Sequence, residues 1–277
     1  MTPRRLVRAL LAVGGAITAV YLALPFVVII PASFSNTSYL RFPPQGLSQR
    51  WYDNFFTDPV WLDSAADSLR IAVLVTIVSV VLGTLCAFGM VRGRFPFRSA
   101  VASIVLAPLL VPYVITALAM YLVFLRAGLT QTTLGFVLAH SALAIPYVFI
   151  NVTAALSQFD RRLEMAAMGL GARPLGTFFR VTLPLILPSI LSGALFAFVI
   201  SWDEVVISIF LSGPELTTLP VQIWSGVRVQ IDPTVAAVSG MLLFLTLAVF
   251  CCSAVARLLW RRRGRSTRTV ASTSGGK

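Results

Sequence analysis

The chain is poor in the side chains that most often carry chemistry. Of its 277 residues one is histidine and three are cysteine, and the single lysine is the last residue, Lys277. No His-x-x-x-His pair offers zinc two ligands on one helix face. No glycine-rich loop ends in Lys-Ser or Lys-Thr, which excludes a P-loop for ATP. Cys86, Cys251 and Cys252 fall in apolar runs without metal-ligand spacing, so they are expected as small packing residues and not as a disulfide. His140 stands alone between Ala139 and Ser141 in another such run. The expectation is a non-enzyme that binds no cofactor and no metal.

Charge is scarce as well. Charged residues make up 12% of the chain against 57% hydrophobic, a balance far from that of a soluble domain. The space is taken by six low-charge apolar runs, at 11–31, 69–91, 100–125, 133–156, 183–211 and 234–256. Each has the roughly 20 residues that a helix needs to cross about 30 Å of hydrocarbon. The runs are continuous and not alternating, which excludes a transmembrane barrel. The expected fold is an all-α integral membrane protein, with six transmembrane helices in one domain over 1–260. A basic tail at 261–277, rich in Ser, Thr and Gly, is expected to be disordered.

The arginines orient the bundle. Arg4, Arg5 and Arg8 precede the first run, and Arg92, Arg94 and Arg98 separate the second from the third. Arg161, Arg162, Arg173 and Arg180 separate the fourth from the fifth, and Arg257, Arg261, Arg262, Arg263, Arg265, Arg268 and Lys277 follow the last. Only Arg41, Arg50, Arg70, Arg126 and Arg228 are left for the other side. Because cytoplasmic loops hold the positive excess, both termini are expected in the cytoplasm. The net charge of +12 is then a topology signal and not a nucleic-acid footprint, with anionic lipid as a further partner of the tail. The first run starts basic, as a secretory signal does, but it is too long and lacks a cleavage site, so an uncleaved helix is expected. The outward loop from Ala32 to Asp67 carries Trp51, Tyr52, Phe55 and Phe56, expected to rest on the headgroups or to meet a partner. Gly89 and Gly93 form a small-residue pair of the kind that lets helices approach closely.

The loop 157–182 is the most patterned segment outside the apolar runs. Leu163, Ala166, Ala167 and Leu170 recur at spacings of three and four, which predicts a short helix with one apolar face and Glu164 on another. Gly171 is placed to end that helix in a left-handed turn, and Pro174 prevents simple continuation. A second helix from about Leu175 should lead through Leu183-Pro184 into the fifth run.

This loop resembles the one that marks the membrane-spanning permease subunits of bacterial ABC importers. The family pattern is Glu-Ala-Ala, three residues, Gly, nine residues, Ile, one residue, Leu-Pro. It falls on Met165-Ala166-Ala167, Gly171, Val181 and Leu183-Pro184 with every spacing kept. Met165 replaces the family's Glu, and Glu164 one position earlier points about 100° away on a helix. The segments Phe196–Ile207, Phe210–Pro214 and Thr218–Pro220 resemble the spermidine/putrescine branch, as do Arg161–Pro188, Asp232-Pro233 and Phe42-Pro43-Pro44 with Trp51-Tyr52. The resemblance implies a permease subunit of the inner membrane that pairs with a second, different permease chain. A cytoplasmic ABC ATPase dimer and an extracytoplasmic solute-binding protein would complete the importer. It places the ATPase contact on Leu163, Glu164, Met165, Ala166, Ala167, Leu170, Gly171 and Ala172. Opines and other small organic solutes are the alternative cargo in this family. A secondary transporter is the rival class, opposed by the lack of an inverted repeat.

Asp203 and Glu204 are the only acids inside an expected span, and carboxylates there are costly and usually functional. They begin about 20 residues into the fifth run, roughly 30 Å up at 1.5 Å per residue, near the outer mouth. With Trp202 they are the candidates for the path of a cationic solute. A structural pair with Arg228 or Arg126 is the alternative.

Overall fold

The computed structural model describes residues 3–38, 42–93, 96–229 and 233–245, and the isolated positions 247, 248, 251, 252 and 255. Among these no strand forms beyond two isolated bridges, Ser35 with Leu47 and Gly213 with Leu216. The helices are α1 (Pro3–Ser33), α2 (Arg50–Thr57), α3 (Pro59–Arg92), α4 (Arg98–Leu106), α5 (Tyr113–Arg126) and α6 (Thr133–Gln158). There follow α7 (Arg161–Gly169), α8 (Pro174–Thr177), α9 (Leu183–Trp202), α10 (Val206–Leu211), α11 (Leu219–Val229) and α12 (Thr234–Leu245).

Four helical stretches are long and apolar enough to cross a membrane: Leu10–Ser33, Pro59–Arg92, Thr133–Gln158 and Pro174–Trp202. A fifth crossing is available if α4 and α5 count as one span, bent by 101°. Prolines account for that bend. Pro108 sits in a 3-10 turn, Ala107–Leu109, and Pro112 caps α5 with an extended backbone. A proline donates no N–H to a helical ladder, and Pro112 itself holds ψ at 131°, outside helical geometry, so the expected straight span 100–125 breaks there. The sixth expected run appears as α12, while most of 246–256 lies outside the described residues, as does the tail 261–277. Two further boundaries differ from expectation. Helix α3 starts at Pro59, because Asp63 and Asp67 interrupt the apolar signal without interrupting the helix. Helix α9 stops at Trp202, and its run resumes only as α10.

The chain falls into two compact units, one formed by residues up to Leu62 together with Gln222–Leu245, the other by Asp63–Val221. In the first, the loop after α1 is tied down by side chains. Trp51 Nε1 donates to the Ser35 carbonyl at 2.7 Å, Ser33 and Tyr52 share a hydroxyl hydrogen bond of 2.8 Å, and Asn54 donates to Thr234 Oγ1 at 3.0 Å. Trp51 and Phe55 are buried there, where headgroup contact was expected, and Phe56 is exposed. The apolar side chains of α1 are exposed from Leu10 to Val27, including Leu11, Ile17 and Tyr21. Such a surface suits lipid or a partner helix and not water.

The second unit is built on the antiparallel pair α6 and α9, with Leu143, Val148, Val152, Leu156, Ile186, Ile190 and Ala197 in its core. Lipid tails are as apolar as these side chains, so close packing has to hold the helices together. Val148 is where it does so. A Cβ on Gly193 would lie 2.9 Å from the Val148 Cα, and one on Gly83 would lie 2.8 Å from its Cβ. Three helices therefore close on one residue. A Cβ on Gly89, one of the small-residue pair that the sequence suggested, would meet nothing within 4 Å in this chain. Cys86 packs partly buried against the same core, whereas Cys251 and Cys252 are exposed.

Candidate functional site

The loop between α6 and α9 folds as its spacing predicts. Asp160 caps α7, its carboxylate accepting from the Arg162 N–H at 2.9 Å, which satisfies one of the free donors of the first turn. Gly171 takes φ +89° and donates to the Met168 carbonyl, while the Ala172 N–H reaches the Ala167 carbonyl. This is a left-handed glycine stop. Pro174 opens α8 at its first position, where a missing N–H costs nothing, and a π turn, Phe178–Thr182, carries the helix into α9.

The faces of α7 separate the candidate contact residues. Leu163, Met165, Met168 and Leu170 are all exposed, Leu170 at 91%, and Ala166, Gly171 and Ala172 are exposed with them. Ala167 is half-buried. Glu164 points the other way. It forms a 3.0 Å ion pair with Arg92 at the end of α3 and accepts from Thr182 Oγ1 at 2.7 Å. The Arg92 guanidinium also lies 5.4 Å over the Phe159 ring. Glu164 thus ties the loop to its own bundle, and the outer surface of α7 carries these apolar side chains beside the exposed Arg161 and Arg162. Beneath α7 lies a cavity of about 480 Å³, walled by Leu85, Phe88, Met168, Leu175 and Phe178, with the Arg92–Glu164 pair in its lining.

At the opposite end of the α6/α9 pair, the three candidate path residues fall into different environments. Trp202 is buried and stacks on Phe198, with centroids 5.8 Å apart and planes at 13°. Asp203 is exposed at the break, its N–H closing the last turn of α9 on the Val199 carbonyl. Glu204 is buried and turned into the protein. Its carboxylate accepts from the Ile207 N–H and the Ser208 N–H, both at 2.9 Å, and from the Ser208 hydroxyl at 3.0 Å. The described contacts of Glu204 do not include Arg126; besides Ser208, the side chain that meets it is His140, whose Nε2 lies 3.6 Å from Oε2. His140 is fully buried on α6, with Nδ1 3.0 Å from Ser201 Oγ and Nε2 3.1 Å from Ser208 Oγ. Among the described residues no group of three or more His, Cys, Asp and Glu stands together as a metal site would require.

Sequence reasoning passed over His140 and Arg92 as site residues. The signal for Arg92 was its position at the end of an apolar run. For His140 it was the presence of a titratable ring within a span, which is costly unless paired.

Residues 79–265 match the model of the binding-protein-dependent transport system inner membrane component family. The putrescine transport system permease protein PotI of Escherichia coli is 37% identical over 230 residues, covering 80% of this chain and 82% of that protein. The spermidine/putrescine transport system permease protein PotC of Haemophilus influenzae is 31% identical over 229 residues, covering 83% and 89%. Among solved structures, a bacterial ABC transporter involved in the import of the acidic polysaccharide alginate superposes with a TM-score of 0.71 at 18% identity, covering 91% of this chain and 96% of that one. The bacterial alginate ABC transporter in complex with a periplasmic protein bound to alginate pentasaccharide gives 0.69 at 17% identity, over 93% and 94%.

Proposed function

Because this chain belongs to the inner membrane components of binding-protein-dependent transport systems, we propose that it forms half of the path by which an ABC importer admits a polyamine such as putrescine or spermidine. The observation that carries the choice of solute is the likeness to two polyamine permeases over most of the chain. The exposed carboxylate of Asp203 at a helix break supports it, since a polycation needs an anionic partner where it leaves water. ATP hydrolysis belongs to a separate ATPase dimer on the cytoplasmic side, where both termini also lie. A second, different permease chain completes the path, and a soluble protein outside delivers the solute.

The face of α7 made of Leu163, Met165, Ala166 and Leu170, with Gly171 and Ala172 at its end, docks on the ATPase. This assignment rests on the exposure of large apolar side chains on a short helix whose one acid is turned inward. Docking is then a matter of shape, and Met165 suits it because a flexible thioether fills irregular clefts. Closure of the ATPase pair moves α7, and the packed α6/α9 pair carries the movement to Asp203 as a rigid body.

Reconstituted vesicles holding the chain with its co-purified subunits should accumulate labelled putrescine or spermidine when ATP and the binding protein are supplied. Asp203→Asn should cut that uptake sharply while the subunits still co-purify. ATP-driven uptake of an opine or another organic solute, with none of either polyamine, would overturn the choice of solute. Recovery of the chain without any ATPase would overturn the importer assignment.

A further inference from the structure

We infer that His140 is a positioning residue that holds the α9–α10 break in the one geometry that presents Asp203, an inference that rests on Asp203 lying in the solute path. The break runs from Trp202 to Val206, and its backbone is not secured by an unbroken helical ladder. One imidazole spans it. Ser201 lies before the break and Ser208 after it, and the two ring nitrogens of His140 reach one hydroxyl each, at 3.0 and 3.1 Å. The ring cannot swing away, because Phe136 packs edge-on against it with centroids 5.7 Å apart and His140 is 0% exposed.

Counting donors assigns the protons. The Ser208 hydroxyl gives its hydrogen to Glu204, so towards His140 its oxygen can only accept. Nε2 must therefore carry a hydrogen. A neutral ring then has a bare Nδ1, which accepts from Ser201. The result is a directed chain: Ser201 O–H to Nδ1, Nε2–H to Ser208 Oγ, Ser208 O–H to Glu204. The Glu204 carboxylate completes it by accepting from the Ile207 and Ser208 N–H groups that α10 leaves free. Every link in the chain has a donor and an acceptor, and Asp203 is the charged residue on the break that stays outside it. Fixing the residues around it lowers the freedom that Asp203 must give up on meeting a cation.

The test uses the whole importer in vesicles and the fact that the chain has one histidine. His140→Leu should raise the KM for polyamine by about tenfold or more, with maximal uptake and subunit recovery much less affected. His140→Gln, whose amide nitrogen can still reach Ser208, should recover part of the loss. Nitrogen NMR of the importer assembled with only this chain histidine-labelled should show a single neutral ring protonated at Nε2, and Ser201→Ala should move its Nδ1 signal. A ring protonated only at Nδ1, or a His140→Leu variant with unchanged KM beside an impaired Asp203→Asn, would overturn the inference and leave the solute path standing. An unimpaired Asp203→Asn would instead remove the path reading, whatever the NMR shows. Should His140→Leu fail to assemble, the Nε2 assignment and the KM of Ser201→Ala, expected to rise by a smaller factor, still decide.

Discussion

The two ends of the α6/α9 pair each hold a glutamate that the fold turns inward, yet they are built on opposite principles. At the α7 end, Glu164 makes one ion pair and one hydroxyl contact, and the surface left outside carries the large apolar side chains Leu163, Met165 and Leu170 beside Arg161 and Arg162. At the other end Glu204 is buried among two backbone N–H groups, the Ser208 hydroxyl and a histidine, and the group left outside is a carboxylate, Asp203. In the function proposed above, the first end meets a protein partner, which rewards apolar area and fit. In the same proposal the second meets a small charged ligand, which rewards a few polar groups held still. Similar acids therefore serve as fastenings at both ends, and the groups proposed to act are the neighbours left exposed.

That contrast can be broken first at Glu204. Glu204→Ala strips acceptors from two buried N–H groups and a hydroxyl, and should lower stability in detergent by about 3 kcal/mol, with Glu204→Gln costing less. A thermal midpoint equal to wild type would show that the break does not depend on this carboxylate. Next comes the shared middle. Gly193→Val forces a side chain against Val148 and should cost about 2 kcal/mol, with uptake falling because both ends lose their common frame. At the α7 end, a double-mutant cycle of Arg92→Gln and Glu164→Gln should give a coupling of about 1 kcal/mol, small because both side chains keep some contact with solvent. The smallest effect on stability sharpens the contrast most. Leu170→Ala should leave the thermal midpoint within about 0.5 kcal/mol of wild type and still reduce the ATPase recovered with the chain, because Leu170 touches little of its own fold. A fall in stability matching the fall in recovery would mean that Leu170 belongs to the core.

Local patterning made the α7 end legible in advance. Asp160, Gly171 and Pro174 act on the backbone within a few residues of themselves, so their cap, left-handed stop and restart could be read directly. The family spacing lay in the same stretch. The inward turn of Glu164 could not be read, since its partner Arg92 is 72 residues away and only the tertiary fold brings the two together. The other end was harder for the same reason. Hydropathy saw one run through 211, because the residues on both sides of Asp203 and Glu204 are equally apolar, and the break depends on a histidine 61 residues before Ser201. The bend at Pro108 and Pro112 was visible as two prolines but was lost in a window average that weighs oiliness and not backbone geometry. Helix α3 erred the other way: Asp63 and Asp67 lowered the average without ending the helix.

The π turn at Phe178–Thr182 bears on both ends at once. It winds one residue more than an α turn would use, and each residue is worth about 100° of rotation around the axis. The azimuth at which α7 leaves the helix, relative to the azimuth at which Asp203 stands 20 residues of α9 later, is set by that one surplus residue. A single-codon deletion within the turn would leave the apolar face and the carboxylate each chemically intact while pointing them in directions that no longer correspond. In this stretch length is under stricter control than composition.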